Sequence, residues 1–297
     1  MEKDKLRIMM IGAHPDDCDF RCGGVALKYA QMGHMVQFVS ISDGSAGHHQ
    51  MKPEELADRR KMEAQKVADL AGIEYVILGM KDGEIMADLD SRRQLIQCIR
   101  LFNPDLILTS RPNDYHADHR QTSLLVQDAS YLLIVPNICP DTKPMDDMPV
   151  IGFFYDRFHN PSFNPDIIID IDDVIDKKFE MLDCHVSQVY EWLPYTNHRL
   201  DEVPDDSSER MEWLRTPTIA DFENQKNSLL LPESFQEKRS GIFGEARMAE
   251  TSNLYREQLI ERYGASQGHL VRFSEAFQLS EYGFQPDDAE LKRLFPF

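Results

Sequence analysis

Positive charge is scarce in this chain: 32 basic residues face 51 acidic ones, a formal charge of −19. A surface of that sign repels phosphate backbones and anionic headgroups, so nucleic acid is not expected as a partner. Long hydrophobic runs are also missing. No stretch approaches the ~18 apolar residues of a membrane span, and Ile8 to Ile11 is too short for a signal-peptide core, so the expectation is a cytoplasmic protein without membrane insertion. The five cysteines (Cys18, Cys22, Cys98, Cys139, Cys184) are few, odd in number and scattered, unlike a disulfide scaffold, and no second Cys or His pair follows Cys18 and Cys22 at zinc-finger spacing. They read as buried free thiols. The chain also lacks a G-x-G-x-x-G turn, which excludes a dinucleotide site of that type; carboxylates stand where a pyrophosphate would sit. There is no internal repeat and no low-complexity tract.

Hydrophobic content of 42% with 28% charged residues is that of an ordinary globular protein. Arg7 to Gly12 is a short apolar run ending in Gly and reads as a buried strand; Val25 to Met32 reads as a helix stopped by Gly33, and Met35 to Ile41 as the next strand. The alternation continues with a helix from Pro53 to Ala71, a strand from Glu74 to Leu78, a helix from Arg92 to Phe102 and a strand from Asp105 to Thr109. A helix over Thr122 to Leu133 and a strand over Asp166 to Ile171 follow. This alternation predicts an α/β fold with a Rossmann-like, mostly parallel sheet and helices on both faces. Beyond about Tyr190 the pattern gives way to acidic, proline-containing sequence in which only Glu209 to Leu214 and Ser252 to Tyr263 suggest helices. The expected organisation is therefore a domain over 1–190 and an irregular C-terminal extension over 191–297, packed on the core and supplying substrate loops or oligomer contacts. A homo-oligomer stays open.

Ligand crevices of open parallel sheets lie at the carboxyl ends of the strands. His14, Asp16 and Asp17 directly follow the first strand; Asn113, Asp114, Tyr115, His116, Asp118 and His119 follow the strand that ends at Thr109. Two imidazoles and a carboxylate from His14, Asp17 and His119 suit a catalytic zinc, which takes three protein ligands and leaves room for water. Asp16 then remains to act as base on that water. The same donor set describes iron(II) oxygenases, so Fe2+ is a rival to Zn2+ at one ion per chain. Each segment alone could also be a turn, a helix cap or a solvated loop.

At Ala13-His14-Pro15-Asp16-Asp17 with Gly23-Gly24 downstream, and at His116-Ala117-Asp118-His119, the sequence resembles the LmbE-like and PIG-L-like zinc-dependent N-acetylglucosaminyl deacetylases. The resemblance takes in Ser42-Asp43-Gly44, Arg60 to Ala64, Asp82-Gly83, and Lys178 with His185-Val186-Ser187-Gln188, and spans roughly residues 6 to 190. It implies a metal-dependent hydrolase that removes an N-acetyl group from an N-acetylglucosamine-type sugar or conjugate; an amidase acting on a non-sugar or thiol-sugar conjugate is the alternative. It further implies zinc on His14, Asp17 and His119, Asp16 as general base, and His116 as an imidazolium that stabilises the oxyanion. Asp118 would hydrogen-bond His116 and raise its pKa. Arg60, with Arg59 an equal physical choice, Asp43, Tyr115 and His185 are the candidates for substrate contact. Ala117 stands where the family usually has Pro, and Ser42-Asp43-Gly44 where it more often has a Gly-Glu pair. His48-His49 reads as a solvated loop.

Overall fold

The computed structural model describes residues 5–216 and 244–297. The charged segment Met1 to Asp4 and the part of the extension between 217 and 243 lie outside the described residues.

Strand β1 (Arg7–Gly12) is flanked by β2 (Met35–Ser42) on one side and β4 (Leu106–Thr109) on the other, all parallel. Beyond β2 lies β3 (Glu74–Met80) and beyond β4 lies β5 (Val150–Phe154), so the strand order turns at β1 and β4. Helices cover both faces, which explains why β1 is apolar without interruption. Successive side chains serve opposite cores: Ile8 and Met10 join one buried cluster, Met9 and Ile11 the other.

The helices follow their local chemistry. α1 (Asp17–Gln31) begins well before the expected Val25, carrying its irregularity at Cys22 (φ −147°) inside the helix. α2 (Pro53–Ala71) starts on Pro at its first turn and stops at Gly72 in the left-handed region, as its sequence predicts. α3 (Leu89–Phe102) is capped by Asp88, whose carboxylate accepts the Ser91 N–H. α4 (Ala117–Ser130) starts five residues ahead of the expected Thr122, because the His116 ring itself accepts the Asp118 N–H and caps the helix. Cys18 and Cys22 are buried free thiols, as expected, whereas Cys98, Cys139 and Cys184 are free but only half-buried.

The C-terminal region departs from its sequence reading. β7 (Ser274–Gly283) is inserted between β5 and β6 (Ile167–Asp170), antiparallel to both, in a seven-stranded sheet ordered β3-β2-β1-β4-β5-β7-β6. The expected boundary at 190 therefore falls within one sheet, and among the described residues β6 meets the sheet only through a strand from the extension. β7 is hidden in the sequence because it buries Ser274 and Glu275, polar residues that blur the apolar signal of a core strand.

Glu275 has partners. One oxygen accepts from Lys178 Nζ (2.7 Å) and the Gly24 N–H, and the other from the Val25 N–H (2.7 Å), while Lys178, on α5 (Ile175–Asp183), also donates to the Phe20 carbonyl. Gly24 is needed here, since a Cβ would come within 2.8 Å of Ile171. Thus Gly23-Gly24 and Lys178, read as separate motifs, meet on one carboxylate. Both charged side chains are 3% exposed, so removing one partner strands the other in a low dielectric. Glu275→Ala is expected to cost about 3–5 kcal/mol of stability, and the double replacement Glu275→Leu/Lys178→Met far less; equal losses in chemical denaturation would contradict this account.

Candidate metal centre and active site

The loop after β1 is closed by its own aspartate. Asp17 Oδ2 accepts the N–H groups of Ala13 (2.9 Å) and His14 (2.8 Å), which turns the chain sharply into α1. Gly12 permits this, because a Cβ there would lie 2.6 Å from Asp17 Cβ. The neighbouring β4 delivers the second loop, and α4 turns His119 inward.

His14 Nδ1, His119 Nε2 and the Asp17 carboxylate stand together: 3.3 Å between the imidazole nitrogens, 3.4 Å from His14 Nδ1 to Asp17 Oδ2 and 3.3 Å from His119 Nε2 to Asp17 Oδ1. Four ligands at about 2.0–2.1 Å around a tetrahedral metal are separated by roughly 3.3 Å along each edge. The imidazole nitrogens stand at that spacing and each faces one Asp17 oxygen, a donor set suited to an ion of zinc's size and preference. Two other groupings, His14 with His116 and His119, and His14 with Asp82 and Asp118, also lie close enough to share an ion. They fit less well. His116 Nδ1 is engaged by the Asp118 N–H, and the second grouping uses His14 Nε2, the nitrogen on the far side of the ring.

That far nitrogen shows how the ligands are held. His14 Nε2 faces Asp82 Oδ1 (3.1 Å) and Asp118 Oδ2 (3.4 Å), and His119 Nδ1 faces Asp114 Oδ1 (3.0 Å). A carboxylate on the outer nitrogen keeps the proton there and leaves the inner lone pair for a metal. Burial opposes protonation of His14, but Asp118, Asp17 and Asp82 outweigh it and raise its pKa well above the ordinary value. His119 is raised to about 9 against burial by Asp17 and Asp114. Asp82, despite burial, is lowered to about 2 by His14. The carboxylates around these two rings draw in positive charge.

Asp16 is buried, with Oδ2 2.8 Å from Arg60 Nη2. Burial raises its pKa, the Arg60 charge opposes the rise and the Asp17 charge adds to it. The His116 ring stands edge-on to His14, with centroids 4.7 Å apart. Its Nδ1 accepts a backbone N–H, so the neutral ring carries its proton on Nε2.

The structure brings His14, Asp16, Asp17, Tyr115, His116 and His119 to one cavity of about 630 Å³. Several expected roles change. Asp118 places its carboxylate on His14 and the Gly83 N–H, and although its charge still favours a protonated His116, burial, with positive His14 and His119 alongside, outweighs it and lowers that pKa. Arg60 borders the cavity but is 2% exposed and spans Asp16 and the Pro15 carbonyl, gripping the candidate base where a substrate hydroxyl was expected. Arg59 is turned to Glu191. Asp43 accepts the Ser45 N–H, pairs with Lys81 and fastens the loop that carries Asp82. His185 is fully buried 3.2 Å from Asp19, away from the cavity lining. His48 is held by Glu191 and His49 stacks on Tyr195, so this loop is anchored where a solvated one was expected. Sequence reasoning assigned no role to Asp82 or Asp114. Asp82 follows β3 at the same carboxyl edge and could have been found by that rule.

Residues 9–130 match the family profile described as PIG-L, GlcNAc-PI de-N-acetylase. Over that stretch the chain is similar to the PIG-L family. Diacetylchitobiose deacetylase of Thermococcus kodakarensis is 28% identical over 208 residues, 65% of this chain and 75% of that protein. The 4-oxalmesaconate hydratase of Pseudomonas putida is 26% identical over 204 residues, 66% of this chain and 79% of that protein. Among solved structures, an inhibitor complex of N,N'-diacetylchitobiose deacetylase from Pyrococcus horikoshii superposes with a TM-score of 0.64 at 23% identity, covering 94% of this chain and 85% of that one, a likeness of fold. The PIG-L stretch runs from β1 through α4 and so contains every group around the two inward-facing imidazoles. Trp192, Asn197 and Glu250, which complete the cavity wall, lie outside it.

Two outcomes are expected from the electrostatics. At pH 7 zinc uptake should expel at least one proton, since His119 must lose the proton it holds up to about pH 9; apparent affinity should climb with pH towards that value, and uptake without proton release in titration calorimetry would contradict the assignment. Asp82→Ala should weaken zinc binding by about 10- to 100-fold by releasing the His14 ring, as read by competition with a chelating dye.

Proposed function

We propose that the protein is a metal-dependent deacetylase that hydrolyses the N-acetyl amide of an N-acetylglucosamine-type sugar or conjugate. The observation that carries this reading is the triangle of His14, Asp17 and His119 with a separate buried carboxylate, Asp16, on the same cavity wall. The match of residues 9–130 to the PIG-L family profile and the similarity to diacetylchitobiose deacetylase support the substrate class. A zinc ion, when bound, polarises a carbonyl and lowers the pKa of water.

The chain's own groups then divide the work. Asp16, its pKa raised by burial, takes a proton from the attacking water while Arg60 holds one of its oxygens in place. His116 donates its Nε2 proton as a hydrogen bond to the oxygen that gains charge as the acetyl carbon becomes tetrahedral. A neutral ring with Nδ1 occupied serves this purpose, so an imidazolium is not required. Collapse of the intermediate breaks the C–N bond and releases acetate and a free amine, which leaves after protonation from Asp16 or His116.

Zinc-loaded protein should release acetate from N-acetylated sugars. Asp16→Asn should lower kcat by at least about 100-fold at unchanged metal content, and His116→Ala by about 100- to 1000-fold. Full activity in Asp16→Asn would refute the mechanism. The similarity to a hydratase favours a second reading, water addition to an activated double bond with Asp16 and His116 in the same proton-handling positions. It predicts a single hydrated product and no acetate.

A further inference from the structure

The cavity is lined by several cations, and most are neutralised. Arg60 pairs with Asp16 at 2.8 Å, Lys178 with Glu275 at 2.7 Å and Arg157 with Glu250 at 2.7 Å. Arg21 differs. It lines the same cavity, is half-buried, and among the described residues its guanidinium makes one hydrogen bond, from Nη1 to the Tyr155 carbonyl (2.9 Å), with no carboxylate at ion-pair distance. Asp114, whose charge it feels, is already committed to His119 and the His116 N–H. In a chain with 51 acidic residues against 32 basic ones, a guanidinium on a cavity wall that uses one of its five donors among the described residues has donors left for an anion.

Its position says which part of a substrate it meets. Arg21 lies four residues after Asp17 on α1, hence on the same helix face and roughly 6 Å further along the axis. An anion held there would share one cavity with the donor triangle, so a single bound molecule can meet both.

We propose that Arg21 is the specificity-determining residue of this cavity and binds a carboxylate carried by the substrate, so that the preferred substrate is an anionic, carboxylate-bearing N-acetylated sugar or conjugate and not a neutral one. This rests on the deacetylase reading for the reaction but not for the binding. The planar fork of Arg21 can take a carboxylate through two parallel hydrogen bonds, and the half-buried Phe20 and Tyr155 on the same wall reduce competition from solvent.

The test compares N-acetylmuramic acid with N-acetylglucosamine on the zinc-loaded full chain, measuring both kcat/KM and, by calorimetry, Kd, for the wild type, Arg21→Ala and Arg21→Lys. Melting curves confirm that each variant is folded. The wild type should prefer the carboxylated sugar by about tenfold or more, as expected for a charge-assisted pair, with the ratio falling to near one in Arg21→Ala and to an intermediate value in Arg21→Lys. A wild type without preference, or a preference that survives in Arg21→Ala, overturns the proposal; the latter result would place the carboxylate on the metal. Acetate release without charge preference would leave the deacetylase reading standing and remove Arg21. Selective, Arg21-dependent binding without acetate release would do the reverse.

Discussion

Everything at this site depends on the hydrogen-bonded pairing of β1 with β4. The two strands run parallel in register, Ile11 beside Thr109, so the loops that leave them emerge side by side. Since the order of strands reverses between them, no crossover helix fills the gap. His14 and Asp17 can then meet His119, which follows them by more than a hundred residues. The Thr109 hydroxyl, donating to the Ile11 carbonyl at 2.9 Å, fastens the strands where the loops begin.

Onto that frame the protein places an excess of carboxylate. Asp17 faces inward, Asp82, Asp114 and Asp118 stand behind the imidazoles, and Asp16 is set apart by Arg60. In the proposed reaction one residue type would serve as ligand, ring support and base, and the difference lies in what each oxygen touches. The same logic operates below the cavity, where Glu275 ties Lys178 to the backbone of α1. Through that contact the C-terminal strand supports the helix whose first residue is Asp17.

The legible parts of the fold were those in which local chemistry and tertiary demand agree. α2 is bounded by Pro53 and Gly72, and β1 is apolar because both its faces are covered. β5, with Gly152 in its centre, and β7, with Ser274 and Glu275 buried, escaped notice because their stability comes from neighbours that a linear pattern does not contain. The early start of α1 was hidden for a similar reason: Asp17 opens the helix while its side chain turns back to bond Ala13 and His14.

The order of residues was enough to mark two carboxyl-edge loops rich in His and Asp and to indicate a mostly parallel α/β sheet, because strand and helix periodicity and the crevice rule are local or topological. It could not tell Asp118 behind His14 from Asp118 behind His116, or Arg60 on Asp16 from Arg60 on a substrate. Those assignments depend on side-chain direction over a few ångströms, which only the packed structure decides. The place of β7 was settled in the same way: antiparallel pairing with β5 and β6 joins segments separated by more than a hundred residues, and no nearby residue announces it.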